Sequence, residues 1–219
     1  MRSDGPFSQL LATQVDELPQ QFADQLLLRA EDKCLVLVEG EMLRVWHRPK
    51  WITPALWLLS HVNTLFPETG DHVPVTMTIR ASNRNGRTIQ VWDREFRFPR
   101  RRRFVGQLAY DEQLAAVVER FGPGSCLELI WTVRFEAPGT FVIEASQWRF
   151  QFASVTLQIP GVLTGSVIAS QFVDPEIVNG IRMGLTVKSP LLGEFFGYEG
   201  LFAKFRAIGA RNDLRHRLL

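Results

Sequence analysis

Leu127–Phe135 reads LELIWTVRF and Phe141–Phe152 reads FVIEASQWRFQF, with Glu136, Ala137, Pro138, Gly139 and Thr140 between them. Both runs alternate, and both are rich in rings and β-branched side chains, which suit a pleated surface. The Pro-Gly between them is turn chemistry. The pair predicts two neighbouring antiparallel strands, and the same pattern recurs from Val73 to Tyr198.

Downstream, Val155–Ile159, Thr164–Val173 and Ile181–Val187 alternate again, punctuated by Pro160-Gly161 and Asp174-Pro175, and a last short strand is expected around Phe195–Tyr198. Upstream, Val75, Met77, Ile79 and Ala81 alternate with Thr76, Thr78 and Arg80, and Asn83–Gly86 supplies a hairpin turn, because Asn-Gly tolerates positive φ. The returning strand, Arg87 to about Phe98, has Ile89 and Val91 on one parity and Trp92, Phe96 and Phe98 on the other, which predicts a bulge near Trp92. Phe104–Asp111 and Leu114–Phe121 follow, then the turn Gly122–Ser125. Cys34–Trp46 is strand-like and apolar on both parities, with Gly40 marking a bulge or a tight turn.

Two segments carry helical spacing instead. Residues 6–31 place Leu10, Leu11, Val15 and Leu18, then Phe22, Leu26 and Leu27 after Pro19, at three- and four-residue intervals, predicting two short helices. Thr53 can cap a helix with Pro54 in its first turn, and Ala55, Leu58, Leu59, Val62, Leu65 and Phe66 form its apolar stripe before Pro67 ends it. The expected fold is mainly β: an antiparallel meander of roughly nine or ten strands forming a barrel or strongly curved sheet, with N-terminal helices and one helix after the first strand. The 219 residues are read as a single domain, with an opening helical segment over 1–31, a β barrel over 33–200 that includes the helix 53–66, and a basic tail over 201–219.

Composition narrows the functional classes. Hydrophobic residues at 46% and charged residues at 22% are globular values, and the bias lies in aromatics: 16 Phe and 6 Trp against 2 Tyr. A net charge of +2 implies no nucleic-acid partner. Cys34 and Cys126 make neither a zinc set nor a disulfide framework, and a reducing cytoplasm is the expected location. The first residues lack a secretory pattern, and the longest apolar stretch, Ile52–Phe66, is interrupted and shorter than the ~20 residues of a membrane span. Oligomeric state is not legible.

The order of several short motifs carries a resemblance. Leu18-Pro19, Val73-Pro74-Val75, Glu119-Arg120-Phe121-Gly122, Ile159-Pro160, and Gly193 followed by Tyr198-Glu199-Gly200-Leu201 span most of the chain. In this the sequence resembles the bacterial domain-of-unknown-function family number 4166, whose members occur alone and fused to YndJ-like membrane proteins or dehydrogenase-like chains. The Trp- and Phe-rich centre and the basic tail depart from that pattern. The resemblance implies no reaction, substrate or catalytic residue.

Reading the residues for chemistry excludes more than it finds. His47, His61, His72 and His216 are scattered, so no metal site is expected. Neither a Walker loop nor Gly-x-Gly-x-x-Gly occurs, so no cofactor is expected, and no Gly-x-Ser-x-Gly elbow is present. Arg100–Arg103 could grip phosphates, but a solvated hairpin tip is the commoner use of such a run.

Three carboxylates are candidate acid–base groups. Glu39 and Glu41, ~7 Å apart if Val36–Val45 is one strand, would share a face with Leu35, Leu37, Leu43 and Val45, where lost solvation and mutual repulsion raise a pKa. A turn or bulge at Gly40 would instead put both in water. Glu144 and Arg134 occupy matching polar parities on the central pair: facing a cavity they could orient or protonate a substrate, facing outward they form an ordinary cross-strand ion pair. Trp92, Trp131, Trp148 and Tyr198, with Arg134, are the candidate ligand-binding residues, although large rings fill solid cores equally well.

Aromatic excess on a strand-rich chain without a catalytic motif leads to one expectation, binding of a small hydrophobic molecule inside the barrel. The alternative is a cofactor-independent cyclase or isomerase of the same shape, acting on a flexible polyene, polyketide or terpenoid-like substrate with a buried carboxylate. An interaction domain docking through the Ile52–Phe66 helix would leave that stripe exposed.

Overall fold

The computed structural model describes residues 5–11, 18–136, 139–152, 155–161 and 165–209. Val15, the turn residues Ala137 and Pro138, Thr164, and the tail residues Arg211, Arg215, His216 and Arg217 lie outside them. The strands are β1 (Cys34–His47), β2 (Gly70–Arg84), β3 (Arg87–Phe96), β4 (Arg102–Asp111), β5 (Ala116–Phe121), β6 (Leu127–Glu136), β7 (Thr140–Phe152), β8 (Val155–Ile159), β9 (Ser166–Val173), β10 (Ile181–Ser189) and β11 (Gly193–Gly209). They pair antiparallel in the order β6-β5-β4-β3-β2-β1-β11-β10-β9-β7-β8, and a further pairing of β6 with β7 closes ten of them into a barrel, leaving β8 outside.

The central pair is where the barrel shuts. Trp131↔Ala145 and Ile130↔Gln147 leave Ser146 of β7 without a partner on β6, a bulge that divides β7 in two. Before it, Thr140–Ala145 pairs with β9; after it, Trp148–Phe152 pairs with β8. One strand thus completes the barrel and carries the outside strand as well.

The Asn83–Gly86 turn forms as expected, with Asn85 and Gly86 at φ 54° and 79°. The bulge expected near Trp92 does not form. From Val75↔Phe96 to Arg84↔Arg87 and from Ile89↔Ala109 to Phe96↔Arg102, β3 keeps unbroken register with both neighbours. Gln90, Trp92, Arg94 and Phe96 all face inward and are buried. The apparent change of parity arises because two of those inward residues are polar. β11 runs 17 residues, well beyond Tyr198, and its second half pairs with the start of β1, so residues 201–209 of the expected tail are strand.

Both ends of the barrel are filled by helical segments and their flanks. At one end, α1 (Gln20–Leu26) and residues 5–11 insert Phe22, Leu26, Phe7 and Leu11, with Phe7 and Phe22 meeting Phe141 at ring-centroid distances of 5.8 and 6.2 Å. Gln90 fastens this end: its amide donates to the carbonyls of Leu26 (3.1 Å) and Leu28 (2.9 Å) and accepts from Trp92 Nε1 (3.1 Å).

At the other end, α2 (Thr53–Ser60) is shorter than predicted, and a turn closed by Thr64 Oγ1 donating to Leu59 O follows it. Phe66 then packs against Phe96 (4.8 Å) and Phe196 (5.5 Å). Leu56 is buried, whereas Trp57 and Leu58 are 47% and 65% exposed, so the helix turns one side inward and keeps an apolar outer side. The arginine run is not a free tip. Arg102 is buried and donates to Ser60 Oγ and Glu68, Arg103 pairs with Asp93, and Arg101 lies 3.5 Å from Glu95. No helix among the described residues is long and apolar enough to cross a membrane.

Candidate functional site

Between the two filled ends the barrel retains a cavity of about 80 Å3. Its wall is built from strand positions of inward parity. β3 supplies Trp92 and Arg94, β4 Phe104 and Leu108, β5 Glu119 and Phe121, β6 Leu129 and Trp131, and β10 and β11 add Met183, Leu185 and Tyr198. Phe7 reaches it from the N-terminal segment, and Leu59 and Leu65 from the chain around α2. The lining is therefore apolar, with few polar groups, the combination expected of a ligand pocket.

Those polar groups are unusual. Arg94 is 7% exposed, and its guanidinium lies 5.3 Å from the Trp92 ring and 5.0 Å from the Phe104 ring, held by their π faces. Its Nε and Nη1 are buried and have no hydrogen-bond partner. Glu119, 3% exposed, accepts a 2.8 Å hydrogen bond from Trp131 Nε1 on Oε2, while its Oε1 has none. Burial raises the Glu119 pKa against the opposing pull of the Arg94 charge and the Trp131 hydrogen bond. Burial likewise raises that of Tyr198, with Arg94 opposing and Glu119 reinforcing.

Gly106, on β4, makes room for this carboxyl. A Cβ there would overlap Oε1 of Glu119 and lie 2.7 Å from its Cδ. Gly106→Ala is expected to push the carboxyl into the cavity and to destabilise the fold by about 1–3 kcal/mol, the usual cost of overpacking. A urea midpoint within error of the native value would show that the niche is not tight.

Of the residues singled out by sequence, Trp92, Trp131, Trp148 and Tyr198 line the cavity. Arg134 does not: its side chain is 58% exposed and reaches Glu136 at 2.9 Å and Glu144 at 3.5 Å. Glu144 is thus on the outer side of the barrel, in the cross-strand pair. Glu39 and Glu41 also lie outside, half-buried, beside register shifts between β1 and β11 on either side of Gly40. Glu41 pairs with His72, and Glu39 lies 3.8 Å from Arg206. The inward residues of β1 are Val36, Val38, Met42 and Val45, so the carboxylates hold the opposite parity over most of the strand.

Glu119 and Arg94 were not singled out, yet both leave a mark in the sequence. Each occupies the parity of large apolar residues on its strand: Glu119 with Val117 and Phe121, Arg94 with Trp92 and Phe96. A charge at such a position must be buried or break the alternation. Two of the motifs that carried the family resemblance place side chains here, Glu119 and Phe121 from one and Tyr198 from the other. Among the described residues no group of three His, Cys, Asp or Glu side chains could hold a metal ion.

The family model described as "Domain of unknown function (DUF4166)" matches residues 18–202, a span that contains Arg94, Glu119 and Tyr198. No curated protein matches the chain.

Proposed function

Since the chain belongs to the DUF4166 family, whose name assigns no activity, we propose from geometry that it binds a small hydrophobic molecule in the barrel interior. One observation carries this reading: a ring-lined cavity in the barrel whose wall includes Arg94 and Glu119, both with buried, unpartnered polar atoms. Its size sets the scale. An apolar cavity of ~150 Å3 accepts benzene, so about 80 Å3 suits a compact molecule or the head of a longer one rather than a folded terpenoid or polyketide chain. Native mass spectrometry of the purified protein is expected to show a bound small molecule of compact size. A bare mass would end the proposal.

Glu119 favours a second reading, acid–base isomerisation or cyclisation of a bound molecule without a cofactor. A buried carboxyl whose pKa is raised can hand a proton to a substrate atom and take one back. The protonation state has a measurable sign. Burial raises the folded pKa above the unfolded one, so between those two values the folded protein holds a proton that the unfolded chain has released. The contribution of Glu119 to stability is complete below the unfolded pKa and is lost as pH rises toward the folded pKa. Native stability minus that of Glu119→Gln is therefore expected to fall as pH rises from about 4, by paired urea titrations. A difference independent of pH would show the carboxyl to be ionised in the folded state, without a proton to give.

A further inference from the structure

An arginine is always charged, and a guanidinium taken out of water without hydrogen bonds carries a large desolvation cost. Arg94 is in that position. Among the described residues its Nε and Nη1 have no hydrogen-bond partner, and no carboxylate reaches ion-pair distance. The two flanking rings offset part of the cost but supply no acceptor oxygen. The Arg94 charge acts on Glu119, but burial, the larger influence, favours the neutral form of that carboxyl. Arg103, Arg120, Arg134 and Arg182, by contrast, each hold a carboxylate. Among the described residues Arg94 is thus a buried cation at the cavity wall without a carboxylate partner.

We propose that the molecule bound in the cavity is an apolar carboxylic acid held as its anion, with its carboxylate on the free N–H groups of Arg94. This rests on the reading of the barrel as a ligand-binding module and names the ligand's class. Glu119 stands at the same wall, with Oε1 unpartnered against Gly106 and Oε2 holding the Trp131 bond. Tyr198 stands at the same wall. The ligand's hydrocarbon part lies among Leu129, Met183, Leu185 and the rings. A charged head on a short apolar body meets each of these groups; an alcohol leaves the cation uncompensated, and an amine repels it.

The test uses the 219-residue chain and three ligand series of matched length, the acids acetate, propanoate and butanoate with the corresponding alcohols and amines, followed by calorimetry and by intrinsic tryptophan fluorescence. Acids are expected to bind roughly tenfold or more tightly than alcohols, as charge-assisted hydrogen bonds imply, and amines not at all. Arg94→Met is expected to abolish the preference while alcohols still bind; Arg134→Met, on the outer face, is expected to leave it intact. Alcohols matching acids in the native protein, or a preference surviving in Arg94→Met, would overturn the carboxylate assignment and leave hydrophobic binding standing. No binding of any series would remove both. Should Arg94→Met fail to fold, Arg94→Lys and the native acid-to-alcohol ratio decide the same question.

Discussion

Phe96→Ala is expected to remove about 3–5 kcal/mol of folding stability, the range for deleting a fully buried ring. Phe96 has no exposed surface and sits where the α2 end of the barrel is filled, with Phe66 at 4.8 Å, Tyr198 at 5.6 Å and Phe98 at 6.3 Å between ring centroids. Its neighbours come from β11 and from the loop after α2, so one truncation loosens three segments. Tyr198, one of the rings Phe96 packs against, also lines the cavity. Urea unfolding read by fluorescence and by circular dichroism checks the figure. A loss under about 1 kcal/mol would mean that the surrounding rings collapse into the gap.

Gln90→Leu is expected to cost about 3 kcal/mol, since three buried groups lose their partners at once and each orphan costs roughly 1–3 kcal/mol. The carbonyls of Leu26 and Leu28 and the indole N–H of Trp92 all depend on this one amide. The change is nearly isosteric, so the effect isolates hydrogen bonding from packing. Hydrogen exchange offers the sharper reading: amides of α1 should lose protection before those of β3. Equal loss in both would show that the N-terminal segment and the barrel open as one unit.

The strands were legible because most of them have one apolar parity. β2 alternates cleanly to the Asn85-Gly86 turn, and Trp92, Trp131, Trp148 and Tyr198 stand at inward positions that large rings on such strands suggest. β3 was harder, because Gln90 and Arg94 put polar atoms on the inward side and make regular register look like a bulge. Their reasons for being inside are tertiary: two carbonyls 62 and 64 residues away for Gln90, two flanking rings for Arg94. No local pattern contains that information. β11 was underestimated for the converse reason, since Lys204 and Arg206 face water in its second half and mask its continuation along β1.

The candidate carboxylates show the same limit. Glu39 and Glu41 share a parity with Leu35 and Leu37, but apolar residues occupy both sides of β1, and sequence alone does not say which side is inside. Glu119 lies on a six-residue strand, AVVERF, too short for alternation to stand out, and its niche depends on Gly106 of the adjacent strand.

A ring of ten mutually paired strands has no lateral border, but the outside strand β8 restores one. Among the described strands it pairs with β7 alone, which leaves its other side without a strand partner there, and Val155 and Leu157 on it are 54% and 58% exposed. Unprotected borders of this kind template intermolecular strand addition. Self-association at high concentration is thus directed to β8, on the outside of the barrel and next to the strand that carries the cavity-lining Trp148.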